Sequence, residues 1–223
     1  AAEQVWSFDF EELEAAVDQT HHVAAGYDAD VLIRWGDAVV PGAPAFDPMN
    51  QTADAQERQF GYNNDFIGFV PLPAGSDSSD HGLLCVNHEY TNAELMFPNY
   101  QGTTEDIANI EMAAHGHTVI EVMRGTDGKW TTNPDSPYNR RISLRATEMY
   151  LSGPAAGHER LKTSFDPSGS RVVGTVNNCA GGVTPFDLFA AADDTLVVSS
   201  AVEPRDRSSV PVTLLSPTIV YVT

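Results

Sequence analysis

The sequence predicts an all-β protein: a sandwich, barrel or propeller with few helices. Three observations carry that expectation. Short runs rich in β-branched and aromatic residues recur along most of the chain, each bounded by Gly, Pro, Asp, Asn or Ser. Helical patterning is confined to two segments, so the crossover helices that a parallel sheet requires are mostly missing, and antiparallel pairing follows. With 223 residues, 42% of them hydrophobic, the chain is long enough to bury a core without staples.

The elements follow in chain order. "SFDFEELEAAVDQT" (7–20) is expected to be a helix: Ser7 can cap it, acids fill its first half, and Phe10, Leu13 and Val17 share a face. Residues 36–59 are rich in Gly, Pro, Asp, Asn and Gln and predict a long irregular arm that wraps a surface. Strands are expected at 65–73, 81–90, 117–124, 141–149, 170–178, 194–202, 210–215 and 218–223. A second helix is expected near 104–116, with a Thr cap, acids in its first turn and Gly116 near its end. No strict internal repeat is visible.

Charge narrows the function. Twelve Lys and Arg against 31 Asp and Glu give a formal net charge of −19. Such a surface repels phosphate backbones and argues against nucleic acid as a partner. It suits divalent cations, and a phosphorylated substrate would need its charge cancelled locally by bound metal. No apolar run approaches the roughly 18 residues of a membrane span. The opening "AAEQVW" carries no basic region followed by an apolar stretch, so either export is not used or a signal has been removed.

Four clusters carry chemistry. In "LLCVNHEYTNAE", an extended backbone points Leu83, Cys85, Asn87 and Glu89 one way, and Leu84, Val86, His88 and Tyr90 the other. Glu89 offers hard oxygen and His88 nitrogen to a metal; the alternative is a solvated strand end. In "FGYNNDF", Asn63, Asn64 and Asp65 are consecutive oxygen donors, either a calcium or substrate contribution or an Asn-rich turn. In "GTVNNCAGGVTP", Asn177 and Asn178 can donate to an oxyanion, and Gly181 and Gly182 allow close approach of a ligand. Cys179 is open to three readings: a transition-metal thiolate, a buried thiol, or a disulfide to Cys85. "LSGPAAGHERLKTSFDPSG" offers Ser152 and His158, without a G-x-S-x-G elbow. The remaining histidines lack HExxH spacing, and neither a P-loop nor G-x-G-x-x-G is present.

Taken in order, "FGYNNDFIGFVPL", "LLCVNHEYTNAELMFP", "ANIEMAAHGHTVIEV", "YNRRIS", "LSGPAAGHERLKTSFDPSG" and "GTVNNCAGGVTP" resemble the PhoX-type alkaline phosphatases over about residues 30–185. The resemblance implies a six-bladed β-propeller with short helical insertions, exported through the twin-arginine route to the periplasm or exterior. It implies a centre of Fe³⁺ and Ca²⁺ that hydrolyses phosphate monoesters, with a metal-bound oxide or hydroxide as nucleophile. Small phosphorylated molecules are then the partners, and the chain is expected to be a monomer. Through the NNCAGG motif the family's iron-binding cysteine corresponds to Cys179, and Asn178 is added as a candidate donor to bound phosphate. Glu89 of NHEYT corresponds to a metal ligand, and Asn63, Asn64 and Asp65 are added as calcium candidates. The alternative is a calcium-stabilised extracellular β-module without catalysis.

Three regions are therefore expected: a helix and wrapping arm (1–59), a propeller-like catalytic part (60–185), and a β-rich tail (186–223) in which no further resemblance is seen. Six minimal blades at about 40–45 residues each exceed the chain's length, so an incomplete ring is expected.

Overall fold

The computed structural model describes residues 11–183 and, beyond them, the backbone of three strands at 189–192, 197–200 and 219–222. The chain divides into two units, Ala1–Leu32 and Ile33–Thr223.

In the first unit, residues 11–20 carry no helix, which corrects the expected helix at 7–20; residues 7–10 lie outside the described residues. The reason is physical. Leu13 and Val17, the intended apolar face, stay exposed, so no burial offsets the cost of nucleating an isolated helix. Glu11 and Glu14 lie three apart and Glu14 and Asp18 four apart, so on a helix they would repel. Asp18 instead accepts from the Thr20 amide at 2.8 Å and from its hydroxyl at 3.0 Å.

The second unit is mostly strand. Its first sheet runs β1 (Asn64–Pro71), β2 (His81–His88), β3 (Gly116–Arg124) and β4 (Trp130–Thr132), with β5 (Arg140–Ile142) also paired to β3, all antiparallel. Three short helices decorate it: α1 (Ala53–Gln56), α2 (Ala93–Met96) and α3 (Glu105–Ala114). α3 is the helix expected at 104–116; Thr104 caps it by accepting from the Ile107 amide at 3.3 Å.

The second sheet has the order β7-β6-β11-β10-β9-β8. Its strands are β6 (Glu148–Ser152), β7 (Arg171–Val173), β8 (Ala180–Val183), β9 (Phe189–Ala192), β10 (Val197–Ser200) and β11 (Ile219–Val222). All pairs are antiparallel except β10 with β11. Strands dominate, helices are short, and the architecture is β-propeller-like.

The expected strand at 141–149 is two strands in different sheets. Between them Ser143 makes local bonds that compete with a ladder: its amide donates to Thr147 Oγ1 at 3.0 Å, and its hydroxyl accepts from the Ala146 amide at 3.1 Å and donates to Glu57. The chain crosses there from one sheet to the other. The strand expected at 170–178 stops at Val173, because Gly174 turns at φ 57. A Cβ at that position would meet Ser143 O at 2.0 Å. The strand expected at 210–215 lies outside the described residues. The Gly-rich segment 180–183, read for its clearance rather than for pairing, is strand β8.

β2 is buried on both faces, as its central place in the sheet requires. Leu83 and Cys85 pack with Val70, Leu72, Val119, Ile142, Met149 and Leu151 in one core that joins residues of the first sheet to β6 of the second. On the opposite face of β2, His88 is fully buried and its ring meets Phe60 edge-on at 4.8 Å. The arm at 36–59 is irregular apart from α1 and an isolated bridge between Ala38 and Gln59, yet tied down: Val39 is fully buried, and its carbonyl accepts from Asn139 Nδ2 at 2.7 Å.

Candidate functional site

One end of the first sheet gathers three of the sequence blocks. Asn64 of β1 lies opposite His88 of β2, and the Glu89 amide donates to the Asn63 carbonyl at 3.1 Å. Between Asn64 and Ile67 the register slips, so Asp65 and Phe66 together face the single residue Asn87. Bulges of this kind re-aim side chains and gather at functional ends of sheets. Asn63 sits at φ 48, a left-handed conformation that Asn tolerates. β8, which follows Cys179, packs beside β1.

The bulge brings two acids together. Desolvation, then a hydrogen bond and charge repulsion from Asp65, hold the Glu89 carboxyl above its ordinary pKa. Two carboxyls that repel one another are a hard-oxygen pair suited to a cation that would neutralise both. Asn63 directly precedes β1 and Asn64 is its first residue, while Asp65 is exposed and Glu89 half-buried.

Cys179 is held from both sides. Before it, Asn177 turns the chain at φ 56 and Asn178 is 1% exposed. Both hydrogens of the Asn178 amide are used: Nδ2 donates to Gly116 O at 3.1 Å and to Thr175 Oγ1 at 2.8 Å. The atom of Asn178 with no partner is its buried acceptor Oδ1. That atom offers a lone pair, to a cation or a donor, rather than a hydrogen to an anion. After the cysteine, the Ala180 carbonyl accepts from Asn87 Nδ2 at 2.9 Å. Asn87 Oδ1 in turn faces His117 Nδ1 at 3.0 Å, across the direct β2–β3 pair Asn87↔His117. Gly116, at φ 107, approaches β5 so closely that a Cβ would meet Ile142 O at 2.1 Å.

Neither cysteine is in a disulfide, which removes the Cys85–Cys179 bridge from the three readings. Cys85 belongs to the core, and burial pushes its thiol up to about 12, so it is inert at neutral pH. Cys179 is half-buried. His88 is no ligand candidate. It is sealed in the core, where its Nε2 lies 2.7 Å from Thr118 Oγ1 and 3.3 Å from the Gly61 amide nitrogen. Asn87 and His117 carry more of the site's geometry than the sequence alone suggested. The available signal was a polar residue on the same strand face as Leu83 and Cys85.

The donors fit part of a metal centre. By donor type, Asp65 and Glu89 would suit a hard cation and the Cys179 sulfur a softer one, and the buried Asn178 Oδ1 has no hydrogen-bond partner. Among the described residues no group of three or more His, Cys, Asp or Glu converges on one point. Two cavities lie elsewhere: one of about 150 Å³ along Pro44–Asp47 and α1, and one of about 380 Å³ between Met49, Phe97, Tyr100, Ile107 and Ile110.

Comparison with known proteins adds what geometry alone does not. The family model "Alkaline phosphatase PhoX" matches residues 8–208, past both ends of the resemblance seen at 30–185. The solved structure of Pseudomonas fluorescens PhoX in complex with vanadate, a transition state analogue, superimposes with a TM-score of 0.70 at 38% identity. That match covers 83% of this chain and 32% of the other, so the chain spans about a third of that protein's length. No curated protein matches the sequence. With most of its length inside the family model and its strands laid over a solved member, the chain belongs to the alkaline phosphatase PhoX family.

Proposed function

We propose that this chain is the part of a metal-dependent phosphatase that supplies the thiol and the Asp65–Glu89 pair, and that the whole centre hydrolyses phosphate monoesters outside the cytoplasm. The observation that carries the reading is the convergence of the three motif blocks at one sheet end, with Cys179 clamped by buried asparagines. The structural relative was solved in complex with vanadate, a transition state analogue.

Cys179 would hold Fe³⁺, and Asp65 with Glu89 would hold Ca²⁺, assisted by Asn63 and Asn64. Bound metal supplies charge neutralisation at phosphate and activation of the attacking oxygen. The chain's own residues do the rest. The −19 charge disfavours phosphorylated molecules everywhere except where cations offset it, so the substrate's phosphate is directed to the centre. Asn87 and Asn178 fix the backbone at Cys179, so the sulfur needs little rearrangement to engage its metal.

The test is elemental analysis of freshly purified, never-chelated protein beside an assay with a chromogenic phosphate ester. Co-purifying iron and calcium with phosphate release is expected. Protein containing neither element would overturn the reading.

A further inference from the structure

Around Cys179 the peptide is fixed at two points, one residue before and one after. Asn178 holds Gly116 O on β3, and Asn87 of β2 holds Ala180 O. The orientation of the second amide is set by chemistry. A carbonyl only accepts, so the Asn87 atom facing Ala180 O is its NH₂, and Oδ1 is left facing His117 Nδ1. His117 must therefore carry its proton on Nδ1. Burial, and then the charge of Arg141, pull its pKa down to about 3, so the ring is neutral and its tautomer single. Asn87 is 0% and His117 1% exposed, so water does not compete for these bonds. The bulge at Asp65–Phe66 lies opposite this same Asn87.

We propose that Asn87 is a positioning residue of this centre: its amide, oriented by His117, grips the Ala180 carbonyl and so sets the direction of the Cys179 sulfur. The inference rests on the phosphatase reading for its role in catalysis, but not for its effect on the thiol. Asn87→Asp is the sharpest perturbation. It keeps the shape and the acceptor toward His117, and it replaces the donor at Ala180 O with an oxygen that repels it.

The experiment measures the native labelling rate of Cys179 by a small thiol reagent in the purified chain after chelation, for the parent, Asn87→Asp and Asn87→Ser. Cys85, buried in the core, reports whether the fold survives. Losing one buried hydrogen bond should raise Cys179 labelling about tenfold in both variants while Cys85 stays silent. In active protein, Asn87→Asp should lower kcat about tenfold or more at unchanged KM, as loss of a partner that orients a metal ligand does. Labelling within about twofold of the parent, with Cys85 silent, overturns the proposal. If the Asp variant exposes Cys85, the Ser variant decides by the same criterion; if both expose it, Asn87 is a fold residue and the proposal falls. If labelling rises as stated in a chain that holds no iron and cleaves no ester, the positioning of Cys179 stands and the phosphatase reading is what fails.

Discussion

Arg141→Ala should be the most costly single change near the site. The Arg141 side chain donates five hydrogen bonds to backbone carbonyls it draws together: Gln59 at 2.9 Å, Ala113 at 2.7 Å, His115 at 3.0 Å, His117 at 3.1 Å and Ile142 at 2.6 Å. Those carbonyls belong to the arm, the end of α3, the start of β3 and the end of β5. Burial pulls the Arg141 pKa down to about 10, so the group is still charged at neutral pH. A bond from a charged donor contributes roughly 1.5–3 kcal/mol, but such bonds are not additive and water would enter the gap. Glu57, the carboxylate whose charge acts on Arg141, keeps Arg145 at 3.5 Å, which holds the loss near the lower figure for breaking a buried charged network, about 3–4 kcal/mol. Because Gly116 lies between two of the gripped carbonyls, the anchor of Asn178 should loosen as well. Urea unfolding followed by circular dichroism measures the first effect, and native labelling of Cys179 the second. A loss below about 1 kcal/mol would refute the reasoning, because it would mean that the five bonds are replaced by water at almost no cost.

Cys179→Ser should remove iron from the purified protein while shifting stability by no more than about 0.5 kcal/mol, since the residue lies outside the core; retained iron content would exclude the thiolate. Glu89→Gln relieves repulsion with Asp65, so calcium content should fall while the melting temperature holds or rises slightly, as calorimetry with and without added calcium would show. Acid should destabilise the fold through its buried histidines. His117 is held at about 3 against an ordinary 6.5, and burial drives His88 in the same direction. The unfolded chain therefore takes up protons first, and stability falls as pH drops from 6.5 toward 3, by up to about 1.4 kcal/mol per pH unit for each histidine. Equal melting temperatures at pH 7 and pH 5 would contradict neutral burial of both rings.

The failures of sequence reading are instructive in particular places. The helix expected at 7–20 had capping and periodicity, but periodicity reports only that a face could be buried, not that a surface exists to bury it. The run at 141–149 looked like one strand because β-propensity carries no information about which sheet a residue joins; the Ser143 and Thr147 side-chain bonds decide where it breaks. In the segment 180–183, "AGGV", backbone pairing with β9 made a strand that side-chain propensity would not suggest.

What the sequence determined by itself was local and compositional. The alternation in 81–88 set which residues of β2 share a face, the acid excess set the kind of ligand the surface tolerates, and the ordered motif blocks pointed to the family. Pairing was left to the tertiary structure. The register of β1 on β2 placed the Asp65–Phe66 bulge opposite Asn87, where the Asp65 side chain meets Glu89, and the return of residues 178–180 onto β2 and β3 bracketed Cys179 with Asn178 and Asn87. These contacts span up to 93 positions along the chain, and contacts at such separations are selected by the packing of whole sheets rather than by the preferences of neighbouring residues.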